Sequence, residues 1–225
     1  MKQKNLLKFP KKIGLYDPSY EKDSCGVGMV ANIKGTPSRQ IMEDAYSINS
    51  RMDHRGGCGF EENTGDGAGI LVALPHNFFK KVSRKIDISL PKIGSYSVGN
   101  IFLPQKKKER EFCKKEIEKT IKAEDQIFLG WRSVPVDPDK ADVGPAAKMS
   151  QPVIEQIFIE SNQEIDQNEF ERKLYLIRKQ FSHKLRTDSK LTQASLLFAC
   201  SLSSKIIVYK GMPVSYTHLT LPTKA

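Results

Sequence analysis

The chain has 225 residues, enough for one domain with a sizeable hydrophobic core or for one domain and part of another. Its 39% hydrophobic and 28% charged residues are typical of a globular protein, and no run approaches the roughly 18 apolar residues of a membrane span. The net charge of +10 makes nucleic acid and a membrane surface candidate partners. The lysine-rich start of the chain lacks the apolar region of a secretory signal, so we expect a cytoplasmic protein.

The first predicted element begins at Cys25. A glycine-spaced apolar run, residues 26–33, follows it and predicts a strand. Residues 1–24 hold six lysines, two prolines and only scattered apolar positions, so we expect a leader without a packed element. Removal of the leader would give Cys25 a free α-amine, whose ordinary pKa is about 8 and which can act as base for the thiol nucleophile. The alternative is an inert, buried cysteine at the start of a strand.

The first helix is predicted between a capping threonine and a pair of glycines. Thr36 is the predicted N-cap, with Pro37 at the first helical position. An apolar stripe follows at i, i+4, i+7 and i+11, formed by Ile41, Ala45, Ile48 and Met52. We expect the helix to end near residues 55–57, where two glycines follow an arginine.

Residues 56–69 are the most glycine-dense part of the chain. Such density allows positive φ angles and close backbone approach, as in a ligand-lining loop or a tight turn. A dinucleotide-binding loop would need a strand before it and a helix after it. Here a helix precedes the glycines and a predicted strand, residues 70–74, follows them, which excludes a dinucleotide site. A β-turn loop is the alternative, although it does not account for Arg55.

Three further helices are predicted, over residues 75–82, 105–124 and 167–185. The helix 105–124 carries many lysines that alternate with glutamates at helical spacing, as on a solvated face. No aromatic and basic groove pattern accompanies them, so nucleic-acid binding is the weaker alternative and we expect no nucleic-acid or membrane partner. The helix 167–185 has one apolar face, formed by Phe170, Leu174, Ile177 and Phe181.

The remaining strands are predicted over residues 96–103, 127–129, 152–159, 195–200 and 206–209. The last two are predicted to form a hairpin, and residues 137–151 a surface loop. Four cysteines are spread along the chain, at positions 25, 58, 113 and 200, without a Cys-x-x-Cys pair. This spacing argues against a zinc site and against a disulfide framework. His54 and Cys58 could share a metal ion, but no second pair of ligands supports such a site. We therefore predict no metal site.

Several of these motifs together resemble one protein family. Cys25-Gly26-Val27-Gly28, Asp53-His54-Arg55-Gly56 and Thr64-Gly65-Asp66-Gly67-Ala68-Gly69-Ile70 resemble the N-terminal class II glutamine amidotransferase domain of glutamate synthase large subunits. Later stretches agree, namely Gly130-Trp131-Arg132, Pro152-Val153-Ile154-Glu155-Gln156, Phe170-Glu171-Arg172-Lys173-Leu174 and Ser201-Leu202-Ser203-Ser204-Lys205. The resemblance covers about residues 14–212.

The resemblance implies an α+β fold of the N-terminal-nucleophile type, a four-layer αββα sandwich with two antiparallel sheets between helical layers. It implies that the domain hydrolyses L-glutamine to glutamate and ammonia. In full-length glutamate synthases the ammonia is used on 2-oxoglutarate, with FMN, a 3Fe-4S cluster and electrons from NADPH, NADH or ferredoxin. The implied partners are glutamine, the remainder of the large subunit and a small electron-transferring subunit, and no cofactor is implied for this domain itself.

The resemblance also assigns three site residues. Cys25, freed by removal of residues 1–24, is the implied nucleophile. Arg55 is implied to lie beside it, where a guanidinium favours the thiolate and orders its loop when glutamine binds. Gly56 is implied to let the backbone approach the site. Without the resemblance, Arg55 would be interpreted as a surface arginine in a loop.

Two motifs of the family do not occur in the sequence. They are the Arg-Phe-Ser-Thr-Asn motif on the α-carboxylate side of glutamine and the Asn-Gly pair of the oxyanion hole. Loss of an oxyanion-hole donor typically costs roughly 10²–10³ in rate, so we expect this chain alone to be inactive. The expected division is a leader (1–24), an incomplete domain (25–212) and a tail foreign to the family (213–225). The alternatives are another amide hydrolase of the same fold type and a basic binding module with an inert Cys25.

Overall fold

The computed structural model describes residues 12–14, 17, 26–52, 58–61, 64–162 and 165–213. Its helices are α1 (Arg39–Arg51), α2 (His76–Arg84), α3 (Lys107–Ala123), α4 (Pro145–Ser150) and α5 (Gln167–Arg186). Its strands are β1 (Cys58–Glu61), β2 (Thr64–Ala73), β3 (Tyr96–Leu103), β4 (Ile127–Ser133), β5 (Val153–Glu160), β6 (Phe198–Ser203) and β7 (Ile206–Pro213). None of these helices is long and apolar enough to cross a bilayer.

The strands form two antiparallel sheets. A four-stranded sheet has the order β4-β5-β3-β6, and a three-stranded sheet has the order β1-β2-β7. In the second sheet, β2 and β7 pair from Ala73 with Ile206 to Thr64 with Pro213, with an irregularity between Thr64 and Ala68. The prediction of a mixed fold with two antiparallel sheets and helices is confirmed.

Helices α3 and α5 cover the outer face of the four-stranded sheet. The apolar face predicted for α5 is fully buried there, and Ile117 and Ile121 of α3 meet it over Ile157 and Ile159 of β5. Burial of each such side chain contributes roughly 1.5–3 kcal/mol to stability. The hydrophobic periodicity of the two helices is therefore what holds this layer to the sheet.

A second hydrophobic cluster fills the space between the sheets. Tyr96 and Val98 of β3 and Phe158 of β5 face Ile207 of β7, and Phe79 of α2 closes the cluster from one side. The rings of Phe79 and Phe158 meet edge to face, with centroids 5.8 Å apart. Helix α2 therefore packs against both sheets through Phe79.

β6 and β7 do not form the predicted hairpin. β6 pairs with β3 in the four-stranded sheet, whereas β7 pairs with β2 in the three-stranded sheet. The chain therefore crosses from one sheet to the other between Ser203 and Ile206. The hairpin prediction was wrong because two strands with a short connection look alike in sequence whether they pair side by side or stack face to face.

Glu171 of α5 holds the crossing between β6 and β7 in place through hydrogen bonds. Its carboxylate accepts hydrogen bonds from the Ser204 backbone N–H (2.6 Å) and hydroxyl (2.7 Å), and from the Ser203 hydroxyl (3.0 Å). Ser203 and Ser204 are both buried, and buried polar groups need such partners. Two of the motifs noted in the sequence, around residues 171 and 204, thus meet in one contact.

A row of polar side chains crosses the inner face of the four-stranded sheet. Its members are in register across the four strands and are Arg132, Gln156, Asn100 and Ser201. Asn100 Nδ2 donates to the Val208 carbonyl (2.8 Å), Ser201 Oγ accepts from the Val208 N–H (3.1 Å), and Gln156 Nε2 donates to the Tyr209 hydroxyl (3.4 Å). These three bonds hold β7 over the four-stranded sheet, whereas the buried Asn100 Oδ1 has no partner among the described residues.

Three local predictions need correction. Residues 26–32 are not a strand: the segment lies against α1, and the apolar side chains of Val27 and Met29 are exposed rather than half-buried in a sheet. The predicted loop 137–151 contains the short helix α4, which begins at Pro145. The cap of α1 also lies two residues later than predicted, because the Ser38 hydroxyl accepts the Ile41 N–H (3.3 Å).

Candidate active site

The three predicted site residues, Cys25, Arg55 and Gly56, lie outside the described residues. Described residues follow Cys25 and flank Arg55 and Gly56 on both sides. Residues 26–30 follow Cys25, and Arg55 and Gly56 stand between the end of α1 and the start of β1. The segment 26–30, the end of α1 and the start of β1 are therefore the described neighbours of the predicted site residues in the chain.

The segment that follows Cys25 lies against the end of α1. A Cβ added to Gly28 would overlap the side chain of Ile48 and would lie 2.7 Å from Met52 Cε. Glycine at position 28 therefore permits an approach that a side chain would block. Because Met52 directly precedes residues 53–57, this contact joins the chain just after Cys25 to the chain just before Arg55.

The glycine-rich stretch is largely a strand rather than the predicted loop. β2 begins at Thr64 and forms a hairpin with β1, in which Cys58 faces Gly65. Gly67 has a φ of +85°, at the irregularity in the β2–β7 pairing, and only glycine adopts this conformation easily. The glycines thus serve a distorted strand that follows directly on the predicted site residues.

Glu61, for which the sequence carries no local signal, joins this hairpin to the connection between β4 and β5. Its Oε1 accepts a hydrogen bond from the Ala146 N–H (2.7 Å) and its Oε2 accepts one from the Ala147 N–H (3.3 Å). The bond from Ala146 is the main reason that the pKa of Glu61 lies below its ordinary value. Glu61 and Ala146 are 85 positions apart, so no local pattern could have paired them.

Neither of the two cysteines whose thiols are described is suited to be a nucleophile. Cys113 is a fully buried residue of α3, and burial raises the pKa of its thiol to about 11. Burial also raises the pKa of Cys200, which is half-buried on β6. Since the thiolate is the reactive form, these thiols are less reactive than an exposed cysteine. A cysteine nucleophile in this chain is therefore expected at position 25 or 58.

We expect Cys113 to resist alkylation in the folded chain. At pH 7.5, iodoacetamide should modify it at least about 100-fold more slowly than in urea, because the thiol is buried and almost wholly protonated. Mass spectrometry of peptides from the folded and the unfolded chain measures the two rates. Equal rates at Cys113 in the two states would contradict the packing of α3 described above.

Among the residues that the structure describes, no three His, Cys, Asp or Glu side chains are grouped so that they could hold a metal ion. An iron–sulphur cluster would need three or four such cysteine ligands. The described part of the chain does not fit such a cluster.

Comparison with known proteins places these elements in a family. The sequence profile of the class II glutamine amidotransferases matches residues 25–220. The glutamate synthase [NADPH] large chain of Bacillus subtilis is 42% identical over 204 residues, which are 90% of this chain and 13% of that protein. The glutamate synthase [NADH] of Schizosaccharomyces pombe is 38% identical over 90% of this chain and 10% of its own length. The ferredoxin-dependent glutamate synthase 2 of Synechocystis is 36% identical over 85% of this chain and 12% of its own length.

This chain therefore spans only 10–13% of the length of these relatives. The matched profile begins at Cys25 and includes every helix and strand described above.

Proposed function

The chain belongs to the class II glutamine amidotransferases, and on that premise we propose that it is the glutaminase part of a glutamate synthase, with Cys25 as an N-terminal nucleophile. The observation that carries the proposal is that the family profile begins at Cys25 and that the relatives named above are all glutamate synthases. The described thiols of Cys113 and Cys200, which are buried or half-buried with raised pKa values, leave the nucleophile's role to another cysteine.

In the proposed reaction, removal of residues 1–24 first exposes the α-amine of Cys25. The amine takes the proton of the thiol, and the thiolate attacks the side-chain amide carbon of L-glutamine. The C–N bond breaks, ammonia leaves with the proton returned by the amine, and a glutamyl thioester remains on Cys25. Water then attacks the thioester, which releases glutamate and restores the thiol.

Arg55 and Gly56 are proposed to bind the substrate. A guanidinium beside the sulphur stabilises the thiolate and pairs with a carboxylate through two parallel hydrogen bonds. Gly56 removes the Cβ that would keep the backbone away from glutamine. The contact of Gly28 with Met52 supports this proposal, because it brings together the two chain segments that carry Cys25 and Arg55.

In the whole protein, we propose that the ammonia is used on 2-oxoglutarate. FMN, a 3Fe-4S cluster and the site for NADPH, NADH or ferredoxin would then belong to the remainder of the large chain, with a small electron-transferring subunit as a further partner. The described residues offer no ligand set for the cluster. The proposed part of this chain in the overall reaction is the release of ammonia.

The test is covalent labelling with diazo-oxo-norleucine, an electrophile that mimics glutamine. In a polypeptide that runs from Met1 through the two motifs absent from this sequence, we expect one adduct, on Cys25, and a mature N-terminus at Cys25. Cys25→Ala should abolish the adduct, whereas Cys200→Ala, the matched control, should leave it unchanged.

Three other outcomes would overturn the proposal. An active protein that retains Met1 would contradict the mechanism. Labelling of Cys25 by other amide electrophiles but not by this one would indicate another amide hydrolase of the same fold type. No labelling at all would favour a basic binding module with an inert Cys25.

A further inference from the structure

β1 is the strand whose position matters most to the proposed site. It starts at Cys58, two positions after Gly56, so whatever holds β1 also limits where Arg55 can lie. β1 is a four-residue edge strand, and within the described residues its only strand partner is β2. The pairing of β1 with β2 is short and irregular, with Cys58 opposite Gly65 and Glu61 opposite Thr64. The question is therefore what else holds β1 in place.

The answer in the structure is a hydrogen-bonded clamp between Glu61, Thr64 and the chain at the start of α4. Besides the two bonds from Ala146 and Ala147, Glu61 Oε2 accepts a hydrogen bond from the Thr64 hydroxyl (3.2 Å). The same hydroxyl accepts the Gly144 N–H (3.0 Å), so that three bonds join β1 and β2 to the start of α4 and a fourth joins Thr64 to Glu61. Bonds between a carboxylate and backbone N–H groups are about twice as strong as neutral ones.

Gly144 is shaped for this clamp. A Cβ at position 144 would overlap the carboxylate of Glu61, so any larger residue would displace it. Because α4 lies in the connection between β4 and β5, the clamp joins the three-stranded sheet to the four-stranded one at the end of the molecule where β2 begins.

We propose that Glu61 is a positioning residue, which holds β1 through Ala146 and Thr64 and thereby limits where Arg55 can lie for glutamine binding. The effect on glutamine binding rests on the proposed function of Arg55. The mechanical part, that Glu61 holds β1 in place, does not depend on that function. Glu61 itself does not contact the substrate in this proposal. Its role is to fix the strand that follows the substrate-binding arginine.

The chain offers a matched control for the experiment. Glu109 of α3 makes the same kind of clamp elsewhere: its carboxylate accepts the Thr192 hydroxyl (2.6 Å) and the Gln193 N–H (2.9 Å). Glu61→Gln and Glu109→Gln are therefore the same substitution at two such clamps, and Glu109 in addition pairs with Lys106 Nζ at 3.6 Å. In each, one carboxylate oxygen is replaced by an NH₂ group that faces other donors.

Hydrogen exchange followed by mass spectrometry tests the mechanical part. In Glu61→Gln, exchange should rise roughly tenfold at residues 144–147 and also in the peptide 53–61, because loss of the clamp frees β1. Glu109→Gln should raise exchange only around residues 192 and 193. Thr64→Val, which removes the shared hydroxyl, should give a smaller rise at the same places as Glu61→Gln. Unchanged exchange of peptide 53–61 in Glu61→Gln would overturn the proposal.

The functional part is read from the kinetics of diazo-oxo-norleucine labelling in the extended polypeptide. Glu61→Gln should raise the reagent concentration that gives half-maximal rate by roughly tenfold and leave the maximal rate within about twofold, since binding and not chemistry is affected. A fall in the maximal rate alone would contradict a positioning role. Absence of labelling in the unmodified protein would contradict the proposed function. The hydrogen-exchange result would still test, independently, whether Glu61 holds β1 in place.

Discussion

Replacement of Phe158 by alanine is expected to lower the free energy of unfolding by about 3–5 kcal/mol. Phe158 is fully buried between the two sheets, where its ring meets the edge of Phe79 and packs with Ile207 of β7. The cavity left by the ring lies between two sheets that are also held by the polar row, so the walls cannot collapse freely. The cost should therefore lie in the upper part of the usual range for such substitutions.

Trp131 makes this prediction easy to measure, because it is the sole tryptophan of the chain and lies on β4 beside β5. A urea titration followed by its fluorescence gives the midpoint and the slope for each variant. Phe198→Ala is the matched control, since Phe198 is 44% exposed and its loss should cost less than about 1 kcal/mol. Similar midpoints for the two variants would contradict the stacking of the sheets.

Glu171→Ala is expected to lower the free energy of unfolding by about 2–4 kcal/mol. The change removes the acceptor for Ser203 and Ser204, which are buried at the crossing between the sheets. A buried donor left without a partner costs roughly 1–3 kcal/mol, and here the backbone N–H of Ser204 and two hydroxyls are affected together. The expected fall in melting temperature is about 5–12 °C for a domain of this size.

Thermal unfolding followed by circular dichroism measures the effect. Glu169→Ala is the control on the same helix, because Glu169 is exposed and its loss should cost less than about 1 kcal/mol. If the two glutamate variants melted within a degree or two of each other, the contact of Glu171 with the crossing would contribute nothing to stability.

The sequence predicts well those elements in which a local pattern and the tertiary packing agree. The bounds of β3 are the same in prediction and structure, and the four predicted core residues of α5 are all fully buried. In both cases the apolar residues of one face contact a single hydrophobic layer. Periodicity is then sufficient, because nothing else competes for those side chains.

The errors occur where distant contacts decide. Residues 26–33 have the apolar pattern of a strand. In the structure, Gly28 approaches Ile48 and Met52 closely, and this contact places the segment against the end of α1. The connection after β6 suits a hairpin, but Glu171 and the polar row hold β7 on the other sheet. Neither contact is visible in a local window, since each joins residues from separate parts of the chain.

The candidate site divides in the same way. Cys25, Arg55 and Gly56 were identified from a family resemblance, and they remain predictions because they lie outside the described residues. Glu61 and Gly144 gave no signal in the sequence, because a carboxylate and a glycine carry no marker of a partner more than 80 positions away. Their role follows only from the bonds that the fold brings together.

The crossing from β6 to β7 also sets the order in which the molecule is completed during synthesis. β2 leaves the ribosome early, but its partner β7 is the last strand described. Ala73 of β2 therefore cannot pair with Ile206 until most of the chain has been synthesised. All four strands of the other sheet emerge between them. Until β7 is synthesised, the edge of β2 that pairs with it has no neighbouring strand and Val72 lacks its partner Ile207, so we expect nascent chains to be prone to aggregation at this edge.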